Sequence, residues 1–171
     1  MSVAVDRSAP AARSRDAPAR RPALYTPEQK KRRDESPWTL VQGLLAPLQF
    51  LVFLVSLGLV LRFLATGEGL AWAHASIVLK TGVLYTIMVT GCLWEKAVFG
   101  RYLFAPAFFW EDVVSMGVIA LHTAYLAALL SGALGDRALM LLALAAYATY
   151  VLNAAQFLLK LRAARLQEAM A

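Results

Sequence analysis

A single cysteine, Cys92, stands in the whole sequence, so an intrachain disulfide is impossible and a cysteine-based metal site is excluded. Lying within a hydrophobic segment, it reads as a small packing residue. Charge is scarce as well: 16% of the 171 residues are charged and 60% are hydrophobic, whereas an ordinary soluble domain carries about a quarter charged residues. That balance excludes a soluble domain and makes lipid the solvent for most of the chain. There is no P-loop, no dinucleotide fingerprint, no nucleophile elbow and no HExxH zinc motif. Of the two histidines only His122 falls deep in an apolar run, so a bis-histidine haem bundle lacks its ligands.

What is present is a series of long apolar runs. Ser36 and Pro37 give a helix start signal, and Trp38 stands where an aromatic anchor meets headgroups. Four spans are predicted, at about 39–64, 76–99, 106–130 and 138–159, each near the ~20 residues needed to cross a bilayer. The first is far longer than a signal-peptide core, so it is expected to remain in the mature protein. Thr66 to Gly69 and Gly132 to Asp136 mark turns. The predicted fold is an all-α integral membrane protein, an antiparallel bundle of four transmembrane helices within residues 37–166. Four short spans with no repeat and no broken helix pair give a transporter little support.

Ahead of the bundle, residues 1–25 are rich in Ala, Arg, Ser and Pro and cannot offset ordering entropy by burial, which predicts a disordered basic arm. Thr26, Pro27 and Gln29 supply an N-cap, a first-turn proline and a capping-box partner, so a short interfacial helix is expected over 26–36. Residues 167–171 are read as a tail. Nine of the seventeen Lys and Arg residues precede Trp38. Lys96 and Arg101 lie between spans two and three, and Lys160, Arg162 and Arg165 follow span four. The positive-inside rule then puts both termini and the 97–105 loop in the cytoplasm. The basic arm suits an anionic membrane surface and not nucleic acid.

Polar residues inside the spans are the informative ones, because lipid excludes them unless they face the bundle interior. Gln42, Gln49 and Ser56 recur every seven residues on one face of span one, which also carries Pro47, a candidate kink. Glu111, Ser115, Val118, His122 and Tyr125 form one stripe on span three, with Glu111 and His122 about 16 Å apart and out of contact. Thr149, Asn153, Gln156 and Lys160 repeat that stepping on span four. Spans two and three are joined by WEKAVFGRYLFAPAFFWED, which gathers aromatics, two cations and three carboxylates. A cytoplasm-facing pocket with aromatic walls is the inference.

Plainer readings stand beside these. Glu95 with Lys96 and Glu111 with Asp112 are equally well interfacial charges at helix ends, the latter pair favoured by a helix N-terminus opened by Pro106. Gln42, Gln49, Asn153 and Gln156 are more often interhelical hydrogen-bond glue than ligand contacts. A structural hydrogen bond for His122 weighs as much as ligation or proton transfer. His74, near the first turn, is given no role, and the lone Lys80 is expected to snorkel.

The stretches YTPEQKKRRDESPWTLVQGLLAPLQFLVF, LYTIMVTGCLWEKAVFGRYLFAPAFFWEDVVSMGVIALHTAYL and AAYATYVLNAAQFLLKLRAARL resemble 3-vinyl bacteriochlorophyllide hydratases, called 2-vinyl in an older nomenclature. The likeness runs from Leu24 to Leu166. It implies a hydro-lyase that adds water to the C3 vinyl group of a chlorophyllide or bacteriochlorophyllide, giving the 3-(1-hydroxyethyl) derivative for bacteriochlorophyll a. It also implies a multi-pass protein of the bacterial inner or intracytoplasmic photosynthetic membrane. No cofactor is implied, since magnesium belongs to the tetrapyrrole substrate.

Hydration of this kind needs a proton donor for the vinyl carbon and a base for water. An apolar setting suits a carboxyl to the donor role, and Glu111, Asp112 and Glu95 are the candidates. Trp94, Phe108, Phe109 and Trp110 would stack on the macrocycle, and Lys96 or Arg101 would pair with its propionate. Tyr125, Asn153 and Gln156 would face the substrate, and His122 would hold water or ligate the substrate magnesium. Membrane lipids are expected partners, and association with a second copy or with other pigment-biosynthesis enzymes stays open. The competing class is a noncatalytic pigment-binding or photosynthetic-complex assembly protein, which would need the same aromatic pocket but no acid.

Overall fold

The computed structural model describes residues 24–169, apart from the Glu168 side chain. Expectations for residues 1–23 and for 170–171 lie outside the described residues. Five helices make up the described chain: α1 (Pro27–Glu35), α2 (Pro37–Thr66), α3 (Leu70–Phe99), α4 (Phe109–Ser131) and α5 (Asp136–Ala169). The last four are long and apolar enough to cross a membrane.

Local chemistry fixes the ends. Thr26 Oγ1 accepts from the Gln29 amide at 3.2 Å, and Gln29 Oε1 accepts from the Thr26 amide at 2.9 Å, closing a capping box over α1. Ser36, ahead of Pro37, takes an extended ψ of 126° that a following proline favours, so α1 stops and α2 starts one residue later. No residue of α1 is buried, which fits a charged helix at an interface. Gly67 and Gly69 at φ 77° and 82° turn α2 into α3, a left-handed conformation that a side chain would strain.

The helices run longer than the predicted spans: α3 starts at Leu70 where Ser76 is expected, taking in the mostly apolar LAWAHA, and α5 continues beyond Leu159 through a polar stretch to Ala169. Polar residues extend a helix readily once its neighbours have nucleated it. The third span begins at Phe109 and not at Pro106, because Pro106 to Phe108 form a turn closed by the Phe108 amide on the Ala105 carbonyl at 2.8 Å.

Two tightly packed hairpins, α2 with α3 and α4 with α5, face each other. Gln42 Nε2 donates to Thr90 Oγ1 at 2.7 Å across the first, and Asn153 Nδ2 donates to Ser115 Oγ at 2.5 Å across the second. Side chains between the hairpins are larger. Phe53, Tyr125 and Tyr147 join Val60, Ile77 and Met140 in an apolar core near the α2–α3 and α4–α5 turns. Outside, Leu40, Leu79, Leu130 and Leu158 are each more than three-fifths exposed, an apolar surface on a scale that water would not tolerate and lipid accepts.

Candidate functional site

At the end of the bundle where α2 begins and α5 finishes, the 100–108 segment crosses from α3 to α4 above two buried carboxyls. Glu95 comes from the last turns of α3 and Asp112 from the first turn of α4, and both are almost wholly buried. The Phe104 amide donates to Asp112 Oδ2 at 2.7 Å, and the Ala105 amide donates to Glu95 Oε2 at 3.2 Å. Phe104 is a non-glycine residue at φ 58°, a strained conformation that the Asp112 bond helps to hold. The two carboxyls also lie within hydrogen-bond reach of each other. Two carboxyls set together in this way can share one proton, an arrangement that would put an acid and a base side by side.

Glu111, one residue away, is engaged elsewhere. Its Oε2 lies 2.5 Å from Lys160 Nζ on α5, and the same ammonium donates to the Ala107 carbonyl and sits 5.1 Å from the centre of the Phe108 ring. It is therefore paired with Lys160, and both charges lie close enough to Asp112 to act on it.

The aromatics divide into two sets. Trp94 and Phe108 belong to a packed cluster: their rings meet edge-on at 5.6 Å, Phe99 contacts both, and Tyr25 and Phe157 close it from α1's approach and from α5. Trp94 Nε1 further donates to Thr39 Oγ1 at 3.0 Å, so its polar edge ties α3 to α2. Phe109 and Trp110 point outward, 43% and 69% exposed, with Tyr102 and Phe104 beside them in the chain and also exposed. Lys96 Nζ donates to the Gly100 carbonyl at 3.0 Å and lies over the Tyr102 ring, and Arg101 is exposed. Together these side chains make an exposed aromatic and partly cationic rim next to the carboxyls, with the Phe109 and Trp110 rings nearly perpendicular.

The remaining candidates lie deeper. His122 is fully buried; its Nδ1 must carry the hydrogen, since its partner at 2.8 Å is the Val118 carbonyl, and Nε2 is left as an acceptor 3.0 Å from Lys80 Nζ. Lys80 does not snorkel: it is 0% exposed, ringed by Tyr150, Tyr147 and Phe53. Sequence reasoning missed it because a lone lysine near a span end has a cheap route to water, and only the fold shows that it turns inward instead. His74, given no role from sequence, lies on α3 with Nδ1 2.6 Å from the Tyr125 hydroxyl. Asn153 holds Ser115, whereas Gln156 Oε1 is buried with no hydrogen-bond partner among the described residues. The structure thus joins Glu95 to Asp112, ties the neighbouring Glu111 to Lys160 beside them, and gives His122, Tyr125 and Asn153 their hydrogen bonds elsewhere.

Comparison with known proteins matches residues 25–163 to the family model for 2-vinyl bacteriochlorophyllide hydratase. A protein of that name from Cereibacter sphaeroides is 71% identical over 150 residues, covering 88% of this chain and 92% of the relative. Another of the same name, from Rhodobacter capsulatus, is 70% identical over 149 residues, covering 87% of this chain and 86% of the relative. No solved structure matches significantly. With the match spanning both hairpins, the joining segment and the Glu95 and Asp112 pair, the chain belongs to the 2-vinyl bacteriochlorophyllide hydratase family.

Proposed function

We propose that the protein adds water across the C3 vinyl group of a chlorophyllide or bacteriochlorophyllide, giving the 3-(1-hydroxyethyl) derivative. Membership of the family over nearly all of the described chain carries this reading. The residues supply chemistry that fits. A proton passes from the Glu95 and Asp112 pair to the terminal vinyl carbon, and the π electrons of the double bond form the new C–H bond. Positive charge on the carbon next to the ring is spread over the macrocycle. Water attacks that carbon, and the proton it loses returns to the carboxylate, so the pair is restored and no redox partner is consumed.

The substrate reaches the pair by displacing the Phe104 and Ala105 amides, with its flat face on the exposed Trp110 ring and its edge toward Phe109. Arg101 and Lys96 lie where a propionate would remain near water. Glu111 has a supporting role, because its charge is spent on Lys160. Both termini and the 100–108 segment face the cytoplasm of a bacterial inner or intracytoplasmic photosynthetic membrane, since the cations cluster on that side. The magnesium arrives with the pigment.

The test is incubation of membranes containing the full-length chain with 3-vinyl chlorophyllide, followed by mass spectrometry of the pigment. Gain of one water with loss of the vinyl group is expected. A pigment that copurifies with the protein and keeps its vinyl group sinks the reading.

A further inference from the structure

Between the two contacts that hold α5 to the start of α4, one polar atom is left over. Asn153 Nδ2 donates to Ser115 Oγ at 2.5 Å and to the Glu111 carbonyl at 3.4 Å, and Lys160 Nζ donates to Glu111 Oε2 at 2.5 Å and to the Ala107 carbonyl. Gln156 stands three residues after Asn153 and four before Lys160, so it shares their face of α5. It therefore lies level with the part of the chain that holds their partners, from Ala107 to Ser115, and Asp112 is in that part. Lys160 is near enough for its charge to act on Asp112. Phe157 stacks on Phe108 with ring centres 5.8 Å apart, which sets this turn of α5 against the segment that covers the carboxyls. In that position Gln156 Oε1 is buried and has no hydrogen-bond partner among the described residues.

A buried acceptor with no donor is costly. Packing alone would be served better by methionine, and the tie between α4 and α5 is already made by Asn153 and Lys160 on either side. The other buried side-chain atoms left in this condition among the described residues, Ser36 Oγ and the Gln49 amide, belong to α2 and its N-cap, on the other hairpin. What Gln156 offers is an oxygen that accepts a hydrogen bond and does not take a proton, close to a pair of carboxyls that do. Under the hydratase reading the pair handles the protons, and the attacking water needs a second contact to hold its oxygen in line. A water that donates one O–H to a carboxylate and the other to an amide oxygen keeps its lone pairs free for the cationic carbon.

We propose that Gln156 positions the attacking water: its Oε1 accepts one O–H of the water, and the carboxylate left by the first proton transfer accepts the other. This role rests on the hydratase reading. Once the terminal vinyl carbon has taken its proton from the pair, the water oxygen forms the C–O bond to the carbon next to the ring. The O–H bond facing the carboxylate breaks, so the proton returns to the pair and Gln156 neither gains nor loses one. Its hydrogen bond strengthens at that step, because the water oxygen becomes positive as it bonds. Without that contact the cation more often gives back a proton from its new methyl group and reverts to the vinyl compound.

Full-length protein in lipid nanodiscs, given 3-vinyl chlorophyllide in deuterium oxide, tests this by mass spectrometry of both pigments. Protonation that reverts leaves deuterium in the recovered vinyl group, counted above a protein-free incubation, whereas protonation that is captured gives the hydroxyethyl product. Gln156→Met keeps the bulk of the side chain and removes the acceptor. It is expected to lower kcat about 10- to 100-fold, with KM and the melting temperature little changed, and to raise the ratio of vinyl deuterium to product by a similar factor. Gln156→Ala is expected to raise that ratio too, and it serves if Gln156→Met does not fold. A ratio equal to the wild type's overturns the proposal at whatever rate the variant turns over, since a fault in packing slows protonation and capture together. Wild-type kcat in the variant overturns it as well. Wild-type protein that returns the vinyl pigment with neither water nor deuterium added sinks the hydratase reading itself, an outcome distinct from hydration that proceeds without Gln156.

Discussion

Lys160 Nζ lies 2.5 Å from Glu111 Oε2, joining residues 49 apart in the chain and clamping the end of α5 to the first turn of α4. Removing either partner leaves the other charge poorly solvated, so Glu111→Gln and Lys160→Met are each expected to cost about 2 kcal/mol, less than a fully buried pair because Lys160 is partly exposed. The double variant is expected to cost less than the sum. Thermal unfolding in detergent measures this. Turnover by folded Glu111→Gln at saturating substrate stays within a few-fold of wild type, and a loss of 100-fold or more would return Glu111 to the donor role.

For Glu95 and Asp112 the expectation is reversed. Glu95→Gln and Asp112→Asn each keep a carbonyl oxygen that accepts from the Ala105 or Phe104 amide, so the 100–108 segment stays in place. What each removes is a group that can give or take a proton. Turnover is expected to fall by about 10²-fold or more, with KM little changed. Wild-type turnover in both variants would dismiss the pair from the chemistry.

How much of this the sequence disclosed depends on whether the information was local. The span three stripe was legible because lipid allows polar atoms only inward and a helix repeats its face at steps of three and four. Glu111, Ser115, Val118, His122 and Tyr125 are all buried on α4. The capping box at Thr26 needs only four residues and was equally plain. Lys80 was not legible, since its direction is decided by His122, 42 residues away on another helix. The division of the aromatics was hidden too: Phe108 and Trp110 are two residues apart, yet a short turn buries the first and leaves the second 69% exposed. Pairing of Glu95 with Asp112 was concealed for the same reason, because the fold of the intervening loop determines it.

The hydroxyl network across the hairpins gives a purely structural prediction. Ser56 Oγ lies 2.5 Å from the Tyr147 hydroxyl and 2.8 Å from Ser76 Oγ, linking α2 to both α5 and α3. Tyr147→Phe keeps the ring against Phe53 but leaves one link unmade. A loss of about 1 kcal/mol is expected, with turnover unchanged at saturating substrate. Ser56→Ala removes both links and is expected to cost more, and equal melting temperatures for the two variants would contradict the network.

Two tryptophans separate recognition from support. Trp110 is exposed and holds no hydrogen bond among those the structure shows, so under the proposed docking Trp110→Ala removes a stacking surface and little of the fold. Stacking of this kind is worth about 1 kcal/mol, so KM is expected to rise about fivefold while kcat and the melting temperature hold. Trp94 is the opposite case, with its ring inside the Phe99 and Phe108 cluster and its Nε1 on Thr39. Trp94→Phe retains an aromatic ring and loses the tie between α2 and α3, so stability falls by about 1 kcal/mol and KM stays put. A raised KM in Trp94→Phe together with an unaltered one in Trp110→Ala would move the docking face from the outer rim into the packed cluster, and with it the route by which substrate reaches Glu95 and Asp112.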